Sequence, residues 1–163
     1  MSGIDGRGRE TGSHREDPAP TPGGSGGDGA RRCFACGPDN PIGLHIHFRL
    51  DGEVCRGEFT PGENHGGFDG VTHGGILYSA LDDVMANWLY LRGARGYTAR
   101  CEVRYREALP IGTKISLESR MLKKKGRFVI LEGKAVRAAD GAVIAESQGF
   151  FNVFDAGTAA IGS

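Results

Sequence analysis

The spacing of apolar positions changes character at residue 76. Before it, residues 43–50 (GLHIHFRL) alternate leucine, isoleucine, phenylalanine and leucine with polar neighbours. That period of two marks a strand with one buried face. DGE then makes a tight turn, and residues 54–60 (VCRGEFT) return as the second strand of a hairpin. Residues 61–75 (PGENHGGFDGVTHGG) are too rich in turn formers to be anything but loop. From Ile76 the period becomes helical. Ile76, Ala80, Val84, Trp88 and Leu91 recur along one face, joined by Leu77, Leu81 and Met85. This predicts one long amphipathic helix with a broad apolar face, stopping at Gly93. Strand patterns follow over 97–108, 113–123, 127–138 and 142–154, separated by LPIG, KKG and ADGA. Two strands, one helix and a four-stranded meander pack most simply as an α+β domain, a single antiparallel sheet wrapped around one buried helix.

Two features of that helix point to chemistry. Asp82 and Asp83 sit side by side on the flanks of the face opposite Val84, Leu77 and Trp88. A carboxylate at a partly apolar interface has a raised pKa and can act as general base or nucleophile, whereas one facing solvent or a partner chain needs no function. The helical wheel does not choose between the two acids. The second feature is THGGI at the helix start. The first backbone N–H groups of a helix are unpaired and sit at its positive end. With no side chain on Gly74 or Gly75 to shield them, a carbonyl oxygen can approach closely, as in an oxyanion hole.

Composition narrows the reading. The 163 residues suffice for one domain with a sizeable core. Lys plus Arg equals Asp plus Glu at 20 each, so no global field draws the chain to nucleic acid or to an anionic membrane surface. No apolar run approaches the ~20 residues of a membrane helix, and no apolar segment follows the N-terminal charges. A cytoplasmic protein with four reduced cysteines is therefore expected. Residues 1–30 are rich in Gly, Pro, Ser and charge, and are expected to form a disordered tail. The folded domain is expected over 31–155, with a flexible end at 156–163.

Two local signals are weaker. CFACG, with His45 and His47 downstream, offers one short-spaced cysteine pair and two histidines alternating on a strand. Structural zinc takes four ligands, often from two such pairs, so no metal is expected and the segment reads as a turn packed on the sheet. The basic turn KKKGR (123–127) is either a solvated hairpin tip or, through Lys125 and Arg127, a contact for phosphate groups.

HGG with an aspartate nine positions after its histidine resembles the hotdog-fold acyl-CoA thioesterases, in their phenylacetyl-CoA-type (PaaI-like) branch. The likeness extends from Cys33 to Phe154 through CFACGPDNPIGLHIHF, HGGFDGVTHGG, TARCEVRYREALPIG and GRFVILEGKAVRAADGAVIAESQGFF. It implies a hotdog fold and hydrolysis of an acyl-CoA thioester, with neither metal nor other cofactor. Carried over by position, it makes Asp82 the catalytic nucleophile or base and leaves Asp83 without a role. Gly74 becomes the oxyanion-hole glycine, and Thr98 the hydroxyl that orients water. The family's polar loop residue falls on His65, with Asn64 as alternative. His73, Gly75, Lys125 and Arg127 are assigned to substrate binding. Family sites are shared between chains, so a homodimer or homotetramer is implied, with no nucleic-acid or membrane partner. Two rivals remain. One is a non-catalytic acyl-CoA-binding hotdog protein. The other is a hotdog enoyl-CoA hydratase, which pairs its aspartate with a histidine a few residues later, and no histidine follows Asp83.

Overall fold

A computed structural model of the chain describes residues 29–157 and Ile161. The expected tail over residues 1–30 lies, but for Gly29 and Ala30, outside the described residues, as does most of the expected C-terminal end. Strands β1 (Arg49–Asp51) and β2 (Val54–Phe59) precede helix α1 (Gly74–Tyr90), and β3 (Arg95–Tyr105), β4 (Ile115–Lys125), β5 (Phe128–Arg137) and β6 (Val143–Asp155) follow it. They form one six-stranded sheet in the order β1-β2-β4-β5-β6-β3, with every pair antiparallel. The sheet wraps the helix, as the α+β hotdog expectation requires.

The four later strands lie within three residues of their expected bounds, and in β4, β5 and β6 buried positions recur along one face. In β5 Val129, Leu131 and Ala135 are buried, and the residues between them are partly exposed, save Gly133. The first strand is a correction. Only Arg49–Asp51 pairs with β2, in register Leu50↔Cys55. Leu44, Ile46 and Phe48 are buried as the alternation demands. The backbone N–H groups of Leu44 and Ile46, however, donate to Phe34 and Ala35 at 2.8 and 2.9 Å. His45, at φ 53, breaks the extended run. The segment thus spends its hydrogen bonds on the CFACG turn, which docks it against the sheet rather than extending the sheet.

The helix buries Leu77, Ala80, Leu81, Val84, Met85 and Trp88 against the concave face of the sheet. Contact is closest at Met85. A Cβ on Gly149 would lie 3.0 Å from the Met85 sulfur and 2.6 Å from the Phe151 ring. Gly133, on the neighbouring strand, is equally constrained, since its Cβ would meet Ser147 Oγ at 2.5 Å. At the far end Trp88 Nε1 donates to the Glu53 carbonyl at 2.8 Å and the Arg92 guanidinium lies 4.3 Å above the ring, so helix and hairpin are locked together. The helix ends at Tyr90, with Leu91 as its C-cap, three residues before the expected stop, and Gly93, at φ +78, turns the chain toward β3. No helix among the described residues is long and apolar enough to cross a membrane.

Gly149→Ala should lower unfolding free energy by ~1–3 kcal/mol, the usual range for overpacking a filled core. Urea denaturation of the two proteins measures it, and an unchanged midpoint would show that the helix can shift away from the sheet.

Candidate active site

The helix start is built by its own sequence. His73 takes an extended conformation, and its Nδ1 accepts from the Gly75 N–H at 2.8 Å, so it is the N-cap. Capping lets the helix begin at Gly74, two residues before the apolar pattern. The His73 carbonyl accepts from Ile76 at 3.0 Å. The Gly74 N–H has no acceptor among the described residues, which leaves it at the positive end of the helix as a free donor. On the other side of the same peptide unit, Tyr105 Oη donates to the Gly74 carbonyl at 2.8 Å. A pocket of about 220 Å³ opens here, lined by Thr72, Gly74, Leu77, Tyr105 and Leu109. Thr72 Oγ1 is buried without a partner.

The loop before HGG folds back onto this end. The His73 N–H donates to the His65 carbonyl at 2.8 Å, and His65 Nδ1 accepts from the Gly62 N–H at 2.9 Å. At Gly67 a Cβ would lie 3.2 Å from the His73 Cα, so that position has little room for a side chain. His65 therefore stands beside the HGG turn with its Nδ1 occupied by its own turn, and Asn64 is exposed next to it. Both histidine and glycine of HGG that were assigned to substrate, His73 and Gly75, spend a ring nitrogen and an N–H on capping each other.

Asp82 lies further along α1. Thr98 Oγ1 donates to its Oδ1 at 2.8 Å. Burial pushes the Asp82 carboxyl above its ordinary range, the Thr98 hydroxyl pulls it part of the way back, and the charge of Cys33 adds to the upward push. Thr98 reaches the helix from an edge strand. β3 pairs with β6 alone, and its register slips between Thr98 and Arg100, a bulge that re-aims side chains. The register also places the basic turn. Val129 pairs with Phe151, which pairs with Thr98, so Lys125 and Arg127 stand exposed at the same end of the sheet as Thr98. Two strand spacings separate the rows, about 10 Å.

One chain does not bring all these groups together. Eight residues of helix separate Gly74 from Asp82, about 12 Å at 1.5 Å per residue. A reacting carbonyl must lie about 3 Å from both its oxyanion donor and its nucleophile. Gly74, His65 and Asn64 thus lie together at the helix start, and Asp82 with Thr98 lies apart from them.

Asp83 is on the other flank, and it is not idle. Cys33 Sγ stands 3.6 Å from its Oδ1, and Asn87 Nδ2 donates to its Oδ2 at 3.0 Å. Burial pushes the Asp83 carboxyl up to about 7. The Cys33 thiol is held down at about 5, chiefly by its hydrogen bond from Cys36, whose own thiol is pushed up by the same contact and by burial. His45 and His47 take no part in this cluster. The His45 ring engages the Asn40 carbonyl at 2.6 Å, and both are exposed. Thr72, Tyr105 and the Asp83 cluster were not anticipated from sequence. Thr72 had a local signal, since it directly precedes HGG, whereas Tyr105 and the cysteines come from distant positions.

No protein-family model matches the sequence. Among curated proteins, the MIOREX complex component 3 of Saccharomyces cerevisiae is 34% identical over 87 residues, covering 50% of this chain and 32% of that protein. The chain thus spans about a third of the length of that relative. Among solved structures, the thioesterase superfamily protein RHA08564 superposes with a TM-score of 0.69 at 28% identity, over 74% of this chain and 63% of that one. A hypothetical thioesterase of Streptococcus pneumoniae, solved with coenzyme A, gives 0.63 at 12% identity over 68% of this chain and 89% of that one. PaaI of the E. coli phenylacetic acid degradation operon gives 0.62 at 15% identity, over 67% and 79%. The chain has the hotdog fold of the thioesterase superfamily.

His73→Ala removes the cap acceptor and should cost about 1 kcal/mol of stability, the usual loss for a helix N-cap. Thermal or urea unfolding reads it. A variant as stable as the parent would mean that the His73 ring is free for another role.

Proposed function

We propose that the protein is an acyl-CoA thioesterase, converting acyl-S-CoA and water to a carboxylic acid and CoA in a site shared by two chains. The observation that carries this reading is the half-buried Asp82 carboxylate, raised by burial and oriented by Thr98 at 2.8 Å. A carboxylate raised toward neutrality is a better base than an exposed one at physiological pH. The free Gly74 N–H gives it a complement about 12 Å away, a gap that two antiparallel helices of a two-fold pair can close. β3 is an edge strand of 11 residues, and an unpaired edge of that length is suited to joining a second copy. The coenzyme A held by the S. pneumoniae neighbour supports the substrate class.

In this mechanism the thioester carbonyl oxygen accepts from Gly74 of one chain. Asp82 of the other takes a proton from water as the water oxygen bonds to the carbonyl carbon. The tetrahedral intermediate then collapses, the C–S bond breaks, and the departing thiolate takes up the proton. Attack by Asp82 itself would instead give a mixed anhydride that water opens. Thr98 fixes the Asp82 rotamer, and His65, with Asn64 beside it, completes the polar wall. Lys125 and Arg127 contact the phosphates of CoA. His73 and Gly75 act on substrate indirectly, by holding the helix start open. The assembly is a homodimer or a dimer of dimers.

Asp82→Asn keeps shape and loses basicity, so kcat should fall at least ~10²-fold with little change in KM, read as thiol released from a panel of acyl-CoAs. A wild-type chain that binds acyl-CoA and releases no thiol is a binding protein, and the reading fails. Mixing Asp82→Asn chains with His65→Ala chains should recover about a quarter of wild-type activity, since half the dimers are mixed and each holds one intact site. Exchange of subunits without recovery would place both residues in one chain's site.

The pH profile supplies a separate check. Because Asp82 must be ionised to act as base, the rate should fall as pH drops through a pKa above the ordinary carboxylate range. Thr98→Val removes a hydrogen bond that favours the ionised form, so this acid limb should move to higher pH. A limb that stays in place would mean that Thr98 does not act on the titrating group.

A further inference from the structure

We infer that Cys33, Cys36 and Asp83 bind a single divalent cation of borderline softness, of which zinc is the type, and that the ion clips the CFACG turn to the flank of α1. The inference stands apart from the thioesterase reading, since Asp82 faces Thr98 on the opposite flank.

The geometry comes first. The three donor atoms lie within 4.8 Å of one another. Cys33 Sγ and Asp83 Oδ1 are 3.6 Å apart. Around a tetrahedral zinc, with Zn–S near 2.3 Å and Zn–O near 2.1 Å, neighbouring ligands stand about 3.6 Å apart. The turn that presents the thiols is also built for the purpose. Cys33 N–H donates to the Ala30 carbonyl at 3.0 Å, and the Cys33 carbonyl accepts from Gly37 at 2.9 Å. A Cβ on Gly37 would lie 2.4 Å from Cys33 N, so only glycine permits so tight a knuckle. The two-residue gap between the cysteines is that of zinc knuckles.

The charge balance points the same way. Asp83 is a largely buried carboxylate whose partners are a thiol and an amide, and none of the ion pairs among the described residues reaches it. Buried charges are normally paired or coordinate a metal. A cation between the three donors removes the deficit, and its binding displaces the protons that the donor groups still hold. Asn87 already occupies the supporting position. Its Nδ2 donates to Asp83 Oδ2 at 3.0 Å and lies 3.7 Å from Cys36 Sγ, as expected of a group that orients metal ligands. Cys33, Cys36 and Asp83 all line a pocket of about 270 Å³ walled by Tyr90 and Tyr97, which has room for a water as the fourth ligand. Two thiolates and one carboxylate select zinc over the hard cations magnesium and calcium. The sequence expectation of no metal weighed the cysteines against His45 and His47, and the third donor is 47 residues beyond Cys36.

The test uses the full chain, purified under reductant without chelator. Its zinc content should be stoichiometric, and cobalt in place of zinc should give a thiolate charge-transfer band with the visible bands of a tetrahedral ion. Cys33→Ser with Cys36→Ser should abolish both. Asp83→Asn, which preserves shape, should weaken cobalt binding at least ~10-fold. Chelation should lower the melting temperature of the wild type and leave that of the double cysteine variant unmoved. A reduced wild type that holds no metal and shows no thiolate band overturns the inference. So does a cobalt spectrum that survives the cysteine changes, or an Asp83→Asn chain that binds as tightly as the parent.

Discussion

Burial of α1 in the concave sheet is the contact on which the rest depends. It is closest where Met85 meets Gly133 and Gly149, two positions at which any side chain would collide with Ser147, Phe151 or Met85 itself. Interiors are packed densely enough that such a contact fixes the rotation of the helix about its own axis. Once that rotation is fixed, so is the direction in which every other helix residue faces. Leu77, Ala80, Leu81, Val84 and Trp88 follow Met85 inward, and the flanks are left for polar groups.

That rotation separates the two adjacent acids. Successive helix residues differ by about 100° in direction. Asp82 therefore meets the edge strand β3, and Asp83 meets the turn at residues 33–36. Each is raised by burial, and the charge of Asp82 adds to the cost of ionising Asp83. Two such charges side by side on a packed helix are tolerable only because different elements supply their hydrogen-bond donors. A hydroxyl from β3 serves one, and an amide one turn along the helix, with a thiol from the N-terminal turn, serves the other.

The elements were legible wherever the driving force was local. Period-two burial in β4, β5 and β6 and period-3.6 burial in α1 are direct images of one face packed on the core. The helix start was displaced by two residues because its cap is a histidine, outside the usual Ser, Thr, Asp and Asn. The pattern of residues 43–48 named the right buried side chains. Pairing is a property of the partner, however, and the partner turned out to be the CFACG turn. The site divides along the same line. Gly74 was readable from the HGG turn it sits in. Asp82 was distinguishable from Asp83 only by resemblance, since a wheel gives both flanks equal standing. Thr98 reaches Asp82 through a bulge, and Tyr105 reaches Gly74 across 31 residues. Neither contact has a local signature.

On the proposed thioesterase reading, the separation of Gly74 from Asp82 is what requires such a helix to work in pairs. A rigid helix cannot bend its first N–H toward a carboxylate two turns away, so in the proposed mechanism one chain supplies the carbonyl's hydrogen-bond donor at one end and the base at the other. A second helix running antiparallel reverses that order and sets each donor opposite a base. The two-fold arrangement needs no new residues, because the complement of each end is already in the sequence. It requires only that the face carrying Asp82 stay uncovered within its own chain. The described structure meets that condition: β3 beside Asp82 is a sheet edge, and most of its residues are exposed. The opposite flank, at Asp83, is closed by the chain's own N-terminal turn. The asymmetry between the flanks is thus the physical basis for assigning one acid to a shared site and the other to the internal architecture of the subunit.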